Sequence, residues 1–467
     1  MNFIVSAPTQ FFVIVLVLII SISSPFPVLI LSSFLFLAVI ANIVRVNPVQ
    51  PGILFFIFVY HWLQIATTPF AAWLGGISIN EMSMSSFGVF TIWICFIGLV
   101  FLGLGYSYWI RKLELPSIEQ LRIEIESFSF NKILFLYLLL FVLNIYIRIF
   151  AFYYPGITQP LLRVAELKVV FLYLLIYFVY LTKRHLLTLL VVIIIEFIFG
   201  FTGYFSGFKN IIFYLIIAAI PLISRITFSR IIIGGTGVYA IFILALSWQA
   251  IKGEYRSFLN QGTNTQTVKV DPAASLKKVK DLFANLDAET RDRTTFAFLN
   301  RIAYTKYIAN SMEYVPSYKA HQNGALWFEN VSFALIPRFI NPNKGIKDDS
   351  QKVIEYTGIR VASRLEGASI SLGYFGDCYI DFGFLGMMPF LFLIGWFIGS
   401  GFYFFYTKLN SLFVFKYAYL NVIFFSFYNF ETDGTTLVGV LILNTIYYFI
   451  ILKVILFPAT KFLRLNL

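Results

Sequence analysis

Runs of apolar residues, broken by short polar turns, recur from one end of this chain to the other. A helix of about 20 such residues crosses a bilayer. Twelve runs begin near Thr9, Pro27, Gly52, Phe87, Ile133, Lys168, Leu186, Ile211, Ile231, Cys378, Ser411 and Leu437. Soluble cores cannot hide them all. Of 467 residues 59% are hydrophobic, 12% are charged, and mean hydropathy is +0.82. So few charges cannot cover a soluble surface. The expected fold is an all-α polytopic membrane protein of about 12 transmembrane helices. Disorder, coiled coil and disulfide scaffold are excluded by the same figures. Pro25-Phe26-Pro27 splits the first apolar stretch in two, because proline cannot continue a helix cleanly. The first run lacks a basic leader and a small-residue cleavage site, so it reads as an anchor. Cys95 sits in an apolar run and Cys378 lies far away, which suggests neither a disulfide nor a metal site.

Charge is unevenly spread. Residues Ile251 to Ile370 hold 17 Lys/Arg and 12 Asp/Glu, 29 of 120, about 24% and a soluble value. The other 347 residues hold 29 charges. The chain thus divides into a membrane body over 1–250, a large extracytoplasmic segment over 251–377 between spans nine and ten, and a second membrane body over 378–467.

Basic residues favour cytoplasmic loops. With the N-terminus inside, the inner segments carry Arg45, Arg111, Lys112, Arg122, Lys132, Lys183, Arg184, Arg225, Arg230, Lys408, Lys416, Lys461 and Arg464, thirteen in all. The short outer loops carry three, Arg163, Lys168 and Lys209. Both termini are therefore expected in the cytoplasm. The net charge of +12 reads as a topology signal, with no nucleic-acid partner. Arg111 to Lys132 is expected to form a charged amphipathic surface helix. Intramembrane charges are few (Arg148, Glu196, His61), where a coupled pump shows a chain of ionisable groups. Glu196 and His61 are expected to be hydrogen-bonded inside the bundle.

The outer segment holds the candidate chemistry. A helix is expected from Asp271-Pro272 and another over Arg291 to Met312. Arg338 lies between Pro337 and Phe339, and Arg360 and Arg364 are four apart, on one face if that stretch is helical. Fixed guanidinium forks bind phosphate bidentately; solvated loop arginines are the plainer alternative. Asp377 and Asp381 stand at i, i+4 in a glycine-rich run entering span ten. A carboxylate there is expected to be partly desolvated and suited to take a proton from a sugar hydroxyl; acids favoured by a helix N-terminus are the alternative. His321, the outer segment's one histidine, is a candidate base or a hydrogen-bonded surface residue. Glu431 and Asp433 fall in the turn between spans eleven and twelve, as part of the same outer site or as a solvated turn. No Walker loop, dinucleotide fingerprint, metal-ligand cluster or serine elbow is present in the sequence, so neither cofactor nor metal is expected.

Two stretches, Ile336-Pro337-Arg338 to Pro342-Asn343-Lys344 and Gly376-Asp377-Cys378-Tyr379-Ile380-Asp381-Phe382-Gly383 with Gly386, carry a likeness. With a dozen spans and one late outer segment, the chain resembles the Wzy-type oligosaccharide repeat-unit polymerases (O-antigen and capsule polymerases) of bacterial inner membranes. In that family glutamate often follows the first glycine and asparagine precedes Phe-Gly; here Asp377 and Asp381 stand in those places. The resemblance implies a metal-independent membrane glycosyltransferase of the GT-C kind, working at the periplasmic face. It implies undecaprenyl-diphosphate-linked oligosaccharide as substrate, with membrane lipids, a chain-length regulator and a flippase as partners. The lipid diphosphate leaving group would then be met by Arg338, with Arg256, Arg301, Arg360, Arg364 and Lys344. Asp377 would lead as base, followed by Glu366 and His321. Tyr379, Asp381 and Trp327 would contact the acceptor sugar; Tyr304, Tyr307 and Tyr374 could stack on sugar rings or pack in the segment's core. Two other readings remain: a ligase that moves a finished glycan to another acceptor, and a transporter or flippase that changes no bond.

Overall fold

The computed structural model describes residues 4–5, 7–45, 47, 49–154, 157–204, 207–223, 225–263, 268–336, 341, 343–345, 347–363, 369–409 and 412–464. The first half runs α1 (Ala7–Ser23), α2 (Pro27–Val44), α3 (Gly52–Gly75), α4 (Ile79–Ser83), α5 (Gly88–Ile110), α6 (Ile118–Glu126), α7 (Phe130–Tyr153), α8 (Thr158–Ala165), α9 (Leu167–Thr182), α10 (Leu186–Phe199), α11 (Phe208–Ala219) and α12 (Phe228–Leu259). The charged segment holds α13 (Pro272–Ala284), α14 (Ala288–Ile302), α15 (Thr305–Tyr314), α16 (Ala325–Leu335) and α17 (Asp349–Thr357). Then come α18 (Gly373–Lys408), α19 (Phe413–Phe424), and α20 (Gly434–Gly439), α21 (Thr445–Ile451) and α22 (Phe457–Leu463), which form one continuous helical run. Ile4–Val5 pairs in parallel with Arg225–Ile226, the one strand pairing among the described residues.

All twelve apolar runs are helical. Among the described residues eight helices are long and apolar enough to cross a membrane, and the apolar helices Pro8–Ser23, Leu186–Phe199, Phe208–Leu222 and Phe413–Phe427 are shorter. The chain is therefore an all-α polytopic membrane protein.

Contacts between connecting segments sort them to two ends. At one end Tyr417 Oη donates to Val49 O (2.5 Å), Tyr406 Oη to Glu114 O (2.7 Å), Val414 N to Glu124 Oε2 (3.0 Å) and Ser129 N to Leu463 O (3.0 Å). The Phe130 ring stacks on His185 at 4.0 Å there. At the other end Ser85 Oγ donates to Ala309 O (3.0 Å), Tyr255 Oη to Phe201 O (2.6 Å) and Tyr374 N to Thr432 O (2.7 Å). These ends alternate along the chain as successive crossings require.

Helices α5 and α18 pack backbone to backbone. A Cβ at Gly105 would lie 2.0 Å from Phe392 O, one at Gly395 2.0 Å from Leu102 O, and one at Gly399 2.5 Å from Tyr106 O. In lipid, apolar surface gives helices little reason to associate, so small residues that admit backbone-to-backbone packing supply the attraction.

Some sequence expectations change. The Asp271-Pro272 helix forms, with the Asp271 side chain capping Ala274 N at 2.9 Å. The expected helix over Arg291 to Met312 is two, because the chain turns out of helix at Ala303 (φ −66°, ψ 87°). The surface helix expected from Arg111 shrinks to α6. Pro116 cannot sit inside a helix, and the Ser117/Gln120 capping box starts the helix there. Arg360 does not begin a helix: α17 ends at Gly358 in left-handed geometry (φ 69°), where a residue without Cβ is unstrained. Arg364 lies outside the described residues. Both cysteines are buried and free.

Replacing Gly105 or Gly395 by Leu is expected to lower stability by about 1–3 kcal/mol or more, read as a fall in Tm of the detergent-solubilised protein. Gly237→Ala, where nothing lies within 4 Å of the added Cβ, should leave Tm unchanged.

Candidate functional site

The second glycine-rich stretch does break a helix. Within α18, Gly383 has φ 65° and ψ −173°, a conformation reserved for glycine. Beyond such a break the preceding carbonyls lose their helical donors. Gln322 N donates instead to Ile380 O (3.0 Å) and Asn323 N to Asp381 O (2.9 Å). His321 Nδ1 meets Ile380 O at 3.2 Å; a carbonyl can only accept, so Nδ1 carries the proton. The ring abuts the break, since a Cβ at Gly383 would lie 3.3 Å from its Nε2. Asp381 is wholly buried and accepts the backbone N–H of Leu326 (3.1 Å) and Trp327 (2.7 Å). It caps α16 from a neighbouring helix, serving the orphan donors of that helix start. Tyr379 donates to Val315 O (2.8 Å), and the Trp327 ring packs on Phe390 at 4.9 Å. Tyr374 joins His61: Tyr374 Oη lies 2.8 Å from Nε2, and Nδ1 meets Ile57 O at 2.8 Å. Glu196 pairs with Lys168 (2.7 Å) and accepts from Tyr137 Oη (2.9 Å). Asp381, Tyr379, Trp327 and Tyr374 are thus buried in protein contacts, not turned toward a sugar.

Asp377, the leading base in the sequence reading, is also wholly buried. The Lys352 ammonium lies 2.9 Å from its Oδ1 and 3.0 Å from its Oδ2. Gly434 N (2.8 Å) and Asn330 Nδ2 (3.2 Å) donate to the same Oδ2. Lys352 also lies 3.7 Å from Asp433, which caps α20 through Thr435 N (3.1 Å) and Thr436 N (3.0 Å). Asn330 Oδ1 takes Lys347 Nζ and Thr435 Oγ1, each at 2.8 Å. One buried network therefore ties together α16, α17, α18 and α20. Burial would push the Lys352 ammonium down, but Asp377 and Asp433 outweigh it and hold it above the ordinary lysine value. Burial would raise Asp433, but Lys352 and the capping groups hold it below the usual carboxylate range. Burial, then the charge of Asp433, pushes Asp349 up to about 6.

A second cluster lies where α3, α11, α12, α14 and the turn 428–433 meet. Lys209 lies within electrostatic range of Glu431, Arg301 and Arg256, Arg256 within range of Arg301, and Lys252 within range of Arg301, Arg256 and Lys209. Arg256 Nε donates to Tyr204 O (3.3 Å) and its guanidinium covers the Tyr204 ring at 5.0 Å. Lys252 donates to Gln249 (2.6 Å). Lys209 and Arg301 are exposed, and Lys252, Arg256 and Glu431 are half-buried, so solvent reaches the group. Tyr60, Tyr307 and Tyr428 also face Glu431. Tyr204 and Asn210 continue into a cavity of about 630 Å³ that reaches Arg148, Lys168 and Glu196 inside the bundle. Four gathered cations, with one carboxylate beside Lys209 and a roomy cavity adjoining, can hold a polyanionic headgroup.

Of the residues proposed for diphosphate, Arg256 and Arg301 come together here. Lys344 instead lies over the Phe333 ring at 4.1 Å and donates to Ile336 O at 2.7 Å, closing the end of α16. Arg360 is exposed in the stretch after α17. Arg338, Arg364 and Glu366 lie outside the described residues. Sequence reasoning missed Lys252, although it stands one helical turn before Arg256, and it read Lys209 only as a topology charge. Lys352, Lys347 and Asn330 left no local signal, because their partners lie on other helices.

Lys352→Met is expected to cost about 3–5 kcal/mol, because it strands buried carboxylates without a counter-charge; the measure is Tm or protein yield in detergent. For Asp349 the folded state holds its proton to a higher pH than the unfolded chain (about 6 against 3.8). Its contribution to stability therefore declines as pH rises through that window. Asp349→Asn should be the more stable protein at pH above that window, and the difference should close as pH falls toward the lower value, followed by thermal unfolding.

No curated protein and no solved structure matches the chain. A family model described as a domain of unknown function (DUF8712) matches residues 113–465. That span contains every charged residue of both clusters and leaves out α3 and α5, which supply the tyrosine and glycine contacts from the other side. With more than half of its length matched, the chain belongs to the DUF8712 family.

Proposed function

We propose that this protein polymerises undecaprenyl-diphosphate-linked oligosaccharide repeat units into a surface polysaccharide. On this reading it is a Wzy-type, GT-C-like membrane glycosyltransferase of the bacterial inner membrane, with twelve spans and both termini cytoplasmic. The observation that carries the reading is the gathering of Lys209, Lys252, Arg256 and Arg301, with Glu431 in range of Lys209, beside a cavity of about 630 Å³ whose wall includes Tyr204 and Asn210. The reaction expels a lipid diphosphate, and preorganised cations at the position of developing charge are the usual source of stabilisation. Arg256 and Arg301 keep the role expected of them from the sequence. Arg256 is further oriented by Tyr204. Under the positive-inside assignment this cluster belongs to the periplasmic end, where a lipid-linked donor and acceptor would meet. The cavity passes Tyr204 and Asn210 beside the cluster and is walled further in by α7, α9, α10 and α11, a setting suited to a substrate with a charged head and a long prenyl tail.

The transporter reading draws on the Lys168–Glu196 pair (2.7 Å) in the cavity wall, because paired ionisable groups at membrane depth mark ion and substrate paths. Covalent change separates the two. Purified protein given a lipid-diphosphate oligosaccharide in detergent should make longer products with no gradient present. In the host, Arg256→Ala and Arg301→Ala should each reduce long chains to single units, with turnover down about 10²-fold or more. Unchanged chain length at normal protein level would count against the cluster's role. Accumulation of long lipid-linked chains would point to ligation instead.

A further inference from the structure

We infer that Glu431 is the general base of the transfer, taking the proton from the acceptor sugar's hydroxyl beside the Tyr60–Tyr428 ring pair. The inference rests on the polymerase reading and names a catalytic residue within the same site.

The backbone around Glu431 is fixed on both sides. Phe430 N donates to Gln64 Oε1 of α3 at 2.9 Å, and Tyr374 N of α18 donates to Thr432 O at 2.7 Å. The Phe430 ring packs against Phe375 (4.7 Å) and His61 (5.6 Å). Phe430 O approaches α18 so closely that a Cβ at Gly373 (φ 77°) would lie 2.7 Å away. Two residues on from Glu431, Asp433 is held by Lys352 and by its own cap of α20. A side chain on such a turn is positioned by its neighbours, which is what a catalytic group needs. Glu431 itself is half-buried, and Asn429 Nδ2 orients its carboxylate at 2.9 Å.

Three neighbouring acids are already engaged. Asp377 and Asp433 are committed to Lys352, and Asp381 caps α16. Glu431 lies within electrostatic range of Lys209 of α11, which is itself in range of Arg301 of α14 and Arg256 of α12. A carboxylate set next to the cations that receive the leaving group stands where an acceptor hydroxyl must approach. Tyr60 and Tyr428 form an edge-to-face pair at 5.0 Å, and both are half-buried. Tyr304 and Tyr307 stand behind them at 5.1 Å from each other. Such amphipathic rings suit a sugar, which presents an apolar face and polar edges.

The acceptor hydroxyl oxygen forms a bond to the anomeric carbon of the donor glycan. The bond from that carbon to the diphosphate oxygen breaks, and its electron pair leaves with the lipid diphosphate, whose added negative charge faces Arg256, Arg301, Lys209 and Lys252. The hydroxyl proton passes to Glu431 and from there to water.

The test uses the full-length protein in detergent with a synthetic prenyl-diphosphate oligosaccharide as donor and acceptor. Glu431→Gln should lower kcat by about 10²–10⁴-fold, with KM little changed and the acidic limb of the kcat–pH profile flattened. Glu431→Asp should recover part of the rate. A Glu431→Gln protein that elongates like wild type while Arg256→Ala does not would overturn the base assignment and leave the polymerase reading standing. So would a loss that is equal in Gln and Asp variants and keeps the wild-type pH profile, the mark of a structural role. Failure of the wild-type protein itself to elongate any chain would overturn both.

Discussion

The buried ammonium of Lys352 is the point on which this architecture turns. It joins Asp377 of the broken helix to Asp433 of the last membrane helix, inside a wall built from the charged segment. Removing charges from water is costly, and only near-complete pairing makes it tolerable. Here the pairing is close to complete: backbone N–H groups of α20, the Asn330 amide and the Lys352 ammonium share the two carboxylates. The charged segment is therefore keyed to the membrane body. Glycine is required at position 434 because a Cβ there would lie 2.5 Å from Asn330 and 2.8 Å from Asp377. A consequence is that the turn holding Glu431 is placed by a buried network.

The interrupted helix α18 supplies the other constraint. Gly383 ends one helical direction and starts another, and the carbonyls released at the break are met by residues 321–323. Non-helical backbone at such a place is tolerated only where protein satisfies it. That requirement accounts for His321, Gln322 and Asn323 lying where they do, and for Asp381 reaching across to start α16. The residues of this stretch that looked reactive in sequence are largely those that hold the break together. The open cations lie instead on α11, α12 and α14.

Much of the fold could be read from periodicity. Each apolar run became helix, because a backbone in lipid must satisfy its own hydrogen bonds and helix does so locally. Asp271-Pro272 and Ser117 mark helix starts by the same local chemistry. His61 and Glu196 lie in the hydrogen-bonded interior expected for polar groups at membrane depth. Local pattern was weaker where helices are short and marginal: Ala303 breaks a stretch whose apolar spacing continues across it, and Gly358 ends α17 before Arg360.

Composition and spacing by themselves determined that the chain is helical, apolar and multi-pass, with its charge gathered in one late segment. These properties follow from local rules: hydrophobic length, helix caps and the cost of unpaired backbone in lipid. Only the tertiary structure decided which charges meet. Asp377 and Glu431 are both acids in aromatic, turn-rich surroundings, and nothing local tells them apart. One meets Lys352, 25 residues earlier in the chain, in a closed interior; the other lies half-buried in range of Lys209, among the cations Arg256 and Arg301. Coulomb interactions depend on distance through space and on exclusion of water, and a one-dimensional sequence records neither.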